Sequence, residues 1–419
     1  MTVPVTAERL VARTVPLSTG PSGALDLVAL AGDHGLLFSQ EGAGLAGRGE
    51  ALRITLPGGL AKSADVVAEA LGAVAVEDEV GRPGCGPVAI GALPFDRDAP
   101  ASLVVPEVLV GVGADGQAWL TTVGIGSAPS LGLDALAPPA SRPSPDGFTL
   151  TSRQSHDEWC EMVARAVARV RRGDMEKVVL AREVLVEANR PIVPTAVLAR
   201  LRALYPSCML FSVDGFLGAS PELLVSRMGR AVRSHPLAGT IPHSGDPVVD
   251  SRMAEALLAS AKERHEHKVV VDAVVEALGE VCDALDVPPG PSIVPLRNVS
   301  HLGTLIEGTL ADDFGGLGAL DLVARLHPTP AVAGVPLDPA VAYINDVEPF
   351  GRGMYAGAVG WMDSRGDGAW AVGIRSASVS GQQARLVAGV GIVADSVPEA
   401  ELAETQLKLQ ALLAAVVRP

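Results

Sequence analysis

Gly111-Val112-Gly113-Ala114-Asp115-Gly116, running into Gln117-Ala118-Trp119-Leu120-Thr121-Thr122-Val123, decides the fold class. The first six residues fit GxGxxG, a dinucleotide-binding fingerprint. That fingerprint needs a strand before it and a helix after it, so that a pyrophosphate can rest on the helix N-terminus. Here an apolar and β-branched run follows, which reads as a strand, and Ala114-Asp115-Gly116 reads as a hairpin turn. The pattern is antiparallel, and it argues against a nucleotide-binding oxidoreductase.

The same texture extends in both directions. Residues 1 to 125 alternate short Val/Leu runs with Gly-rich turns, as in Gly32 to Phe38 and Pro87 to Leu93, and are expected to form a strand-rich part of one fold. A Ser/Pro/Gly stretch from Gly126 to Gly147 lacks periodicity and reads as a connection, giving expected boundaries of 1–125, 126–150 and 151–419. Ser155-His156-Asp157-Glu158 is a capping box, and Trp159, Met162, Val163, Ala166, Val167 and Val170 follow at helical spacing up to Gly173. Strands are predicted over Lys177–Val186, Phe211–Gly218, Leu223–Arg227 and Arg230–Ser234, then a long helix over Asp250–Leu285. Further strands are predicted over Tyr355–Asp363, Ala369–Ser380 and Gln383–Val393, before a last helix that starts at a second capping box, Ser396-Val397-Pro398-Glu399. Strands in hairpin runs, then helices, then strands again give an α+β class with large antiparallel sheets.

Composition narrows the function. With 48% hydrophobic and 19% charged residues in 419, the chain is long enough to bury a core and too apolar to be disordered. Lys plus Arg number 33 against 48 Asp plus Glu, a formal charge of −15, and no basic cluster offers a face to nucleic acid. Four scattered cysteines, Cys85, Cys160, Cys208 and Cys282, suggest reduced core residues. No signal-peptide pattern and no run of about 18 apolar residues occur, so the expectation is a soluble, cytoplasmic chain without a membrane partner. Absence of a sustained heptad or an isolated apolar stripe suggests a monomer whose partner is a small molecule.

Several segments could carry chemistry. His265-Glu266-His267 is not HExxH, and adjacent helical residues point about 100° apart, so the three cannot converge on one metal. Glu263 and Glu266 share a helical face and could offer two carboxylates to a hard cation; the plain alternative is a solvated face with Glu263 paired to His267. Glu401, Glu404 and Lys408 repeat the pattern, with an ordinary Glu404–Lys408 surface pair as the alternative. Glu222 follows a break at Ala219-Ser220-Pro221, His235 to Thr240 forms a Gly-containing turn, and His327-Pro328-Thr329-Pro330-Ala331 is a proline-stiffened loop. Arg375 sits on an expected strand otherwise poor in charge, where an anion would explain it.

From about Ser155 to Lys408 these pieces resemble the chorismate-utilising enzymes, a family that includes isochorismate synthase, salicylate synthase and anthranilate synthase component I. The resemblance is carried by Lys177-Val178-Val179-Leu180-Ala181-Arg182, Gly218 to Glu222, His235 to Thr240 and Lys262 to His267. It continues through His301-Leu302-Gly303-Thr304, His327 to Gly334, Gly353 to Gly357, Gly373-Ile374-Arg375, Gly389 to Ser396, Glu401, Glu404-Thr405 and Lys408. It implies one large α+β domain with antiparallel sheets packed as a sandwich, helices outside, and a Mg²⁺-dependent site for chorismate. Lys at 177 is the form of members that add water, and His-Pro-Thr-Pro-Ala at 327 to 331 resembles isochorismate synthases. The implied reaction is isochorismate synthesis, in which water attacks C2 and the C4 hydroxyl leaves. Salicylate synthase, which shares Lys177 and Glu222 and then eliminates pyruvate, is the alternative. A degenerate binding protein is disfavoured because Lys177, Glu222 and all the motif glutamates are intact.

The resemblance also implies roles. Lys177 would be the general base, provided that burial or a neighbouring cation makes its neutral amine accessible, and Glu222 the general acid, provided that its carboxyl stays protonated. Glu266 and Glu404 would hold Mg²⁺, directly or through water, with Glu263 and Glu401 in support. Tyr355, Arg375 and the Gly389 backbone would hold a carboxylate, Gly239 and Thr240 would line the ring side, and His301, Ala331 and Lys408 would complete the substrate pocket. In so acidic a chain, a dianion needs the local cations Arg375, Lys408 and Mg²⁺.

Overall fold

Period-two alternation sorts the strand residues into two layers. Leu36, Phe38 and Leu45 pack in one apolar cluster, whereas their neighbours Leu37 and Ala46 pack in another. A computed structural model describes residues 9–18, 25–58, 60–131 and 142–417. One sheet runs in spatial order Phe148–Ser152, Lys177–Ala188, Gln383–Ile392, Ser376–Ser380, Phe216–Ser220, Met209–Val213, Leu36–Gln40, Ala43–Arg48, Val108–Val112, Ala118–Ile125, Leu10–Leu17 and Ala75–Asp78, with Gly334–Val335 paired beside Lys177. A second runs Cys282–Asp286, Ile306–Leu310, Ala231–His235, Leu223–Met228, Gly368–Val372, Ala358–Asp363, Val88–Leu93, Ala101–Val105 and Leu52–Leu56. Leu237–Pro242, Val299–Gly303 and Ser292–Pro295 make a small third sheet. The ladders are antiparallel except between Leu10–Leu17 and Ala75–Asp78.

The two large sheets face each other. Phe38, Trp119, Phe211 and Phe216 of the first meet Ile90, Val104, Val359 and Trp361 of the second in a shared core. Helices cover the outer faces: Pro194–Leu204 and Pro398–Val417 pack on the first sheet, and Ala261–Gly279 and Ala319–Leu326 on the second. The α+β class inferred from the strand pattern is therefore present, and so is the sandwich packing that the resemblance implied. The Gly111 segment is a hairpin, closed by the Gly113 N–H donating to Gln117 O and by Gly116 at φ +79°. Ser155 and Glu158 exchange capping hydrogen bonds at 3.2 and 2.8 Å, and the six apolar residues that follow are all buried. No helix among the described residues is long and apolar enough to cross a membrane.

Some expected elements divide. Phe211–Gly218 is not one strand but two, because Asp214 and Gly215 take φ of +47° and +82° and form a tight hairpin turn. The helix expected over Asp250–Leu285 is two, Pro247–Ala259 and Ala261–Gly279. Ser260 adopts ψ 115° between them and caps the second by accepting the Glu263 N–H, and Cys282–Asp286 is a strand. Ala369–Ser380 breaks at Gly373–Arg375, where Arg375 has φ +51°, and the strand expected from Tyr355 begins at Ala358. The last helix begins at Pro398: the Ser396 hydroxyl accepts from the Val393 N–H and bonds Glu401 instead of boxing Glu399. Of the expected connection, residues 132–141 lie outside the described residues, and strand Phe148–Ser152 begins within its predicted end.

One buried ion pair completes the first sheet. Between the partners Gly334–Val335 and Phe148–Ser152, the edge of the Lys177 strand has no neighbouring strand. Its backbone groups are met there by Ala333 O, which accepts from Val179 N, by Glu348 Oε1, which accepts from Ala181 N, and by Arg352 Nη2, which donates to Val179 O. Glu348 and Arg352 bond each other at 2.6 and 2.9 Å, and their side chains are 1% and 2% exposed. Removing one member strands a buried charge, so Glu348→Ala should lower unfolding stability by about 3–5 kcal/mol. Urea titration checks this; a midpoint equal to that of the parent would contradict it.

Candidate active site

Lys177 begins its strand in a cleft, and its Nζ meets Glu266 Oε1 at 2.8 Å. The facing strand Gln383–Ile392 supplies Gly389 and Gly391, two residues apart and so on one face. A Cβ at Gly391 would lie 2.7 Å from Glu266 Oε1 and 2.8 Å from Lys177 Cε, and one at Gly389 would lie 2.9 Å from the Tyr355 hydroxyl. These glycines leave the space that Lys177, Glu266 and Tyr355 occupy.

Glu222 lines the same cleft. Strand Phe216–Ser220 ends there, the Ser220 hydroxyl accepts the Glu222 N–H at 3.2 Å, and Glu222 O accepts from Val372 N. Burial pushes its carboxyl up to about 8, against the opposing pull of the Leu237 N–H and of Lys177, Arg375 and Lys408. It is therefore a protonated acid at neutral pH.

Arg375 also lines the cleft. It is half-buried, burial lowers its pKa, and no ion-pair partner meets it among the described residues. Its Nη2 donates to His301 Nε2 at 3.2 Å. That bond leaves the His301 proton on Nδ1, facing Thr240 Oγ1 at 3.1 Å and Gly239 O at 3.2 Å. Burial, with Arg375 next, holds His301 down at about 3, so the ring is neutral. A half-buried guanidinium bonded only to a neutral ring is a place for an anion. Tyr355 stands nearby, its phenol pushed up to about 12 by burial.

Two helices bring the carboxylates. Glu263 and Glu266 come from Ala261–Gly279, Glu401 and Glu404 from Pro398–Val417. Burial and then the negative charge of Glu266 raise Glu263; burial raises Glu401 to about 7, with Glu404 adding to it. Glu266 is also buried, but Lys177 outweighs that cost and lowers it. Among the described residues no three acidic, histidine or cysteine side chains already form a metal cluster. A hard cation such as Mg²⁺ needs only one or two carboxylates with water and an anionic substrate, and this mutually repelling set fits it chemically.

Every candidate named from the sequence lines this one cleft: Lys177, Glu222, Gly239, Thr240, Glu263, Glu266, His301, Ala331, Tyr355, Arg375, Gly389, Glu401, Glu404 and Lys408. The plain alternatives fare differently. Glu263 does not pair with His267, which is buried and bonds Thr304 Oγ1 at 2.7 Å, while His265 points outward to Glu176. The Glu404–Lys408 pair forms at 2.7 Å, but within the cleft, where Lys408 also donates to Gly389 O. Arg375 lies at a break between strands, not on one. Sequence reasoning missed Lys262, which lines the cleft 3.9 Å from Glu263, and Gly391; the Gly-x-Gly spacing on a strand was the available signal for the latter.

Comparison with known proteins identifies the family. The isochorismate synthase DhbC of Bacillus subtilis is 40% identical over 341 residues, covering 79% of this chain and 81% of that protein. The isochorismate synthase EntC of Escherichia coli is 38% identical over 336 residues, covering 78% and 80%. The solved structure of MenF, the menaquinone-specific isochorismate synthase of Escherichia coli, superposes with a TM-score of 0.79 at 27% identity, covering 97% of this chain and 95% of that one. Residues 34–417 match the family described as chorismate binding enzyme, and the chain belongs to that family.

Proposed function

We propose that this chain is an isochorismate synthase that uses Mg²⁺ to convert chorismate to isochorismate. The observation that carries the reading is that Lys177, a buried Glu222 whose carboxyl is raised to about 8, and Arg375 line one cleft. Lys177 as its free amine takes a proton from the water that attacks C2, and the C4 hydroxyl leaves as water with the proton of Glu222. Arg375, oriented by His301, and Tyr355 hold a substrate carboxylate, while Gly389 lets the ring approach the sheet. Bound Mg²⁺ would be held by Glu266 and Glu404, with Glu263 and Glu401 beside them, and would neutralise negative charge on the substrate. Glu266 is shared between Lys177 and the carboxylate set, which ties the base to the cation site. Menaquinone or siderophore synthesis is the expected destination of the product, and a monomer in the cytoplasm the expected state.

Product analysis tests the reading. The parent protein given chorismate and Mg²⁺ should release isochorismate; salicylate with pyruvate would instead support a salicylate synthase. Lys177→Ala should fold normally and lose about 10²- to 10⁴-fold in turnover, the usual contribution of a general base.

Glu222 should govern the alkaline limb of activity. Its carboxyl is raised from 4.5 to about 8, so the proton-donating form persists through neutrality and is lost as pH rises through about 8. A kcat/KM profile should fall there. Glu222→Gln should retain chorismate binding while turnover collapses; proportionate loss of both would reduce Glu222 to a wall of the pocket.

Excess chelator should abolish turnover and added Mg²⁺ restore it, and Glu404→Gln should prevent the restoration. Undiminished turnover in chelator would contradict the metal assignment.

A further inference from the structure

A second cavity, of about 640 Å³, also reaches Lys177. It shares Lys177, Lys262 and Glu266 with the substrate cleft, but not Glu222, Tyr355 or Arg375. Its inner wall is largely apolar, with Val269 of the Glu266 helix on one side and Val335, Val393 and Ala394 on the other. Its rim mixes charges: Asp174 is paired with Arg169 and Arg172, Glu176 bonds His265, and Lys262 and Asp395 are exposed. The cavity thus approaches the proposed base from outside without crossing the place assigned to the substrate.

Each turnover of the proposed reaction needs one water at Lys177 and releases another beside Glu222. The Lys177 side chain is only 3% exposed, and a bound dianion would cover it from the substrate side. Glu176, Lys262, His265 and Glu266 line the cavity and offer water hydrogen-bond partners on the way to Lys177, so a small neutral molecule can enter while the substrate cleft is filled. We infer that this second cavity is the route by which water is delivered to Lys177 while chorismate is bound. The inference rests on the isochorismate synthase reading. In the step it serves, the delivered water forms the C2–O bond and gives its proton to Lys177. The C4–O bond breaks, and the departing hydroxyl takes the proton of Glu222 and leaves as water on the other face.

Filling the cavity from either wall tests this. Ala394→Phe and Val269→Phe should each lower kcat by about tenfold at saturating chorismate, as expected where access and not binding limits turnover. Chorismate affinity, measured by titration calorimetry, should stay at the parent value. Combining Ala394→Phe with Val269→Ala, which reopens space from the opposite wall, should restore most of the lost kcat, a recovery that simple structural damage would not show. Parent-like kcat in both filled variants, equal losses of kcat and affinity, or no recovery in the double variant would each overturn the route alone. If the parent itself makes no isochorismate, the functional reading fails and the route fails with it.

Discussion

The interaction on which the site depends is the buried pair Glu348–Arg352 at the interrupted edge of the Lys177 strand. Backbone groups left open there would cost as much as lost hydrogen bonds in a dry interior. The pair takes the place of a missing strand, one partner accepting from Ala181 and the other donating to Val179. Arg352 also donates to Val332 O, next to Ala331 of the cleft, and stacks 4.4 Å over Phe95. Its own carbonyl accepts from Tyr355 N and from Arg385. The Lys177 strand, the Ala331 loop and the Tyr355 turn are thereby set relative to one another by a single charged contact. Buried pairs of this kind add little net stability over apolar packing, but removing half of one is costly. Here the pair supplies geometry.

Within the cleft, burial divides the ionisable groups by what surrounds them. Burial raises the Glu222 carboxyl, with no cation in hydrogen-bond contact among the described residues, whereas Lys177 lowers that of Glu266, which it pairs with. Two carboxyls of one residue type take opposite states a short way apart in one cavity. That difference is what acid–base chemistry on two faces of a ring requires. Arg375 is placed by an unusual backbone angle and a neutral histidine and keeps its charge free for an anion. A chain with net charge −15 can in this way present a positive spot to a dianion.

Much of the fold was legible because local signals agreed with tertiary structure. The Ser155 capping box, the buried stripe from Trp159 to Val170 and the Gly113–Gly116 turn depend on neighbours a few residues away. Two mistaken elements carried local signals that the reading passed over: Asp214-Gly215 is a hairpin dipeptide, and Ser260-Ala261-Lys262-Glu263 has the Ser-x-x-Glu form of a helix start. Arg375 differs, because it takes a positive φ where the chain passes from one sheet to the other.

The sequence by itself determined the α+β class and the antiparallel pairing, because alternation, turn chemistry and helical spacing are properties of short segments, while the residues of the cleft were named by the resemblance of their motifs to the chorismate-utilising enzymes. Only the tertiary structure decided that Glu263 and Glu266 face Glu401 and Glu404 across one cavity, and that His267 turns to Thr304 instead of to Glu263. It alone decided that Glu222 is protonated. Spacing along a helix says which side chains share a face, but not what that face meets, and the state of a carboxyl depends on the solvent and charges that distant segments remove or bring.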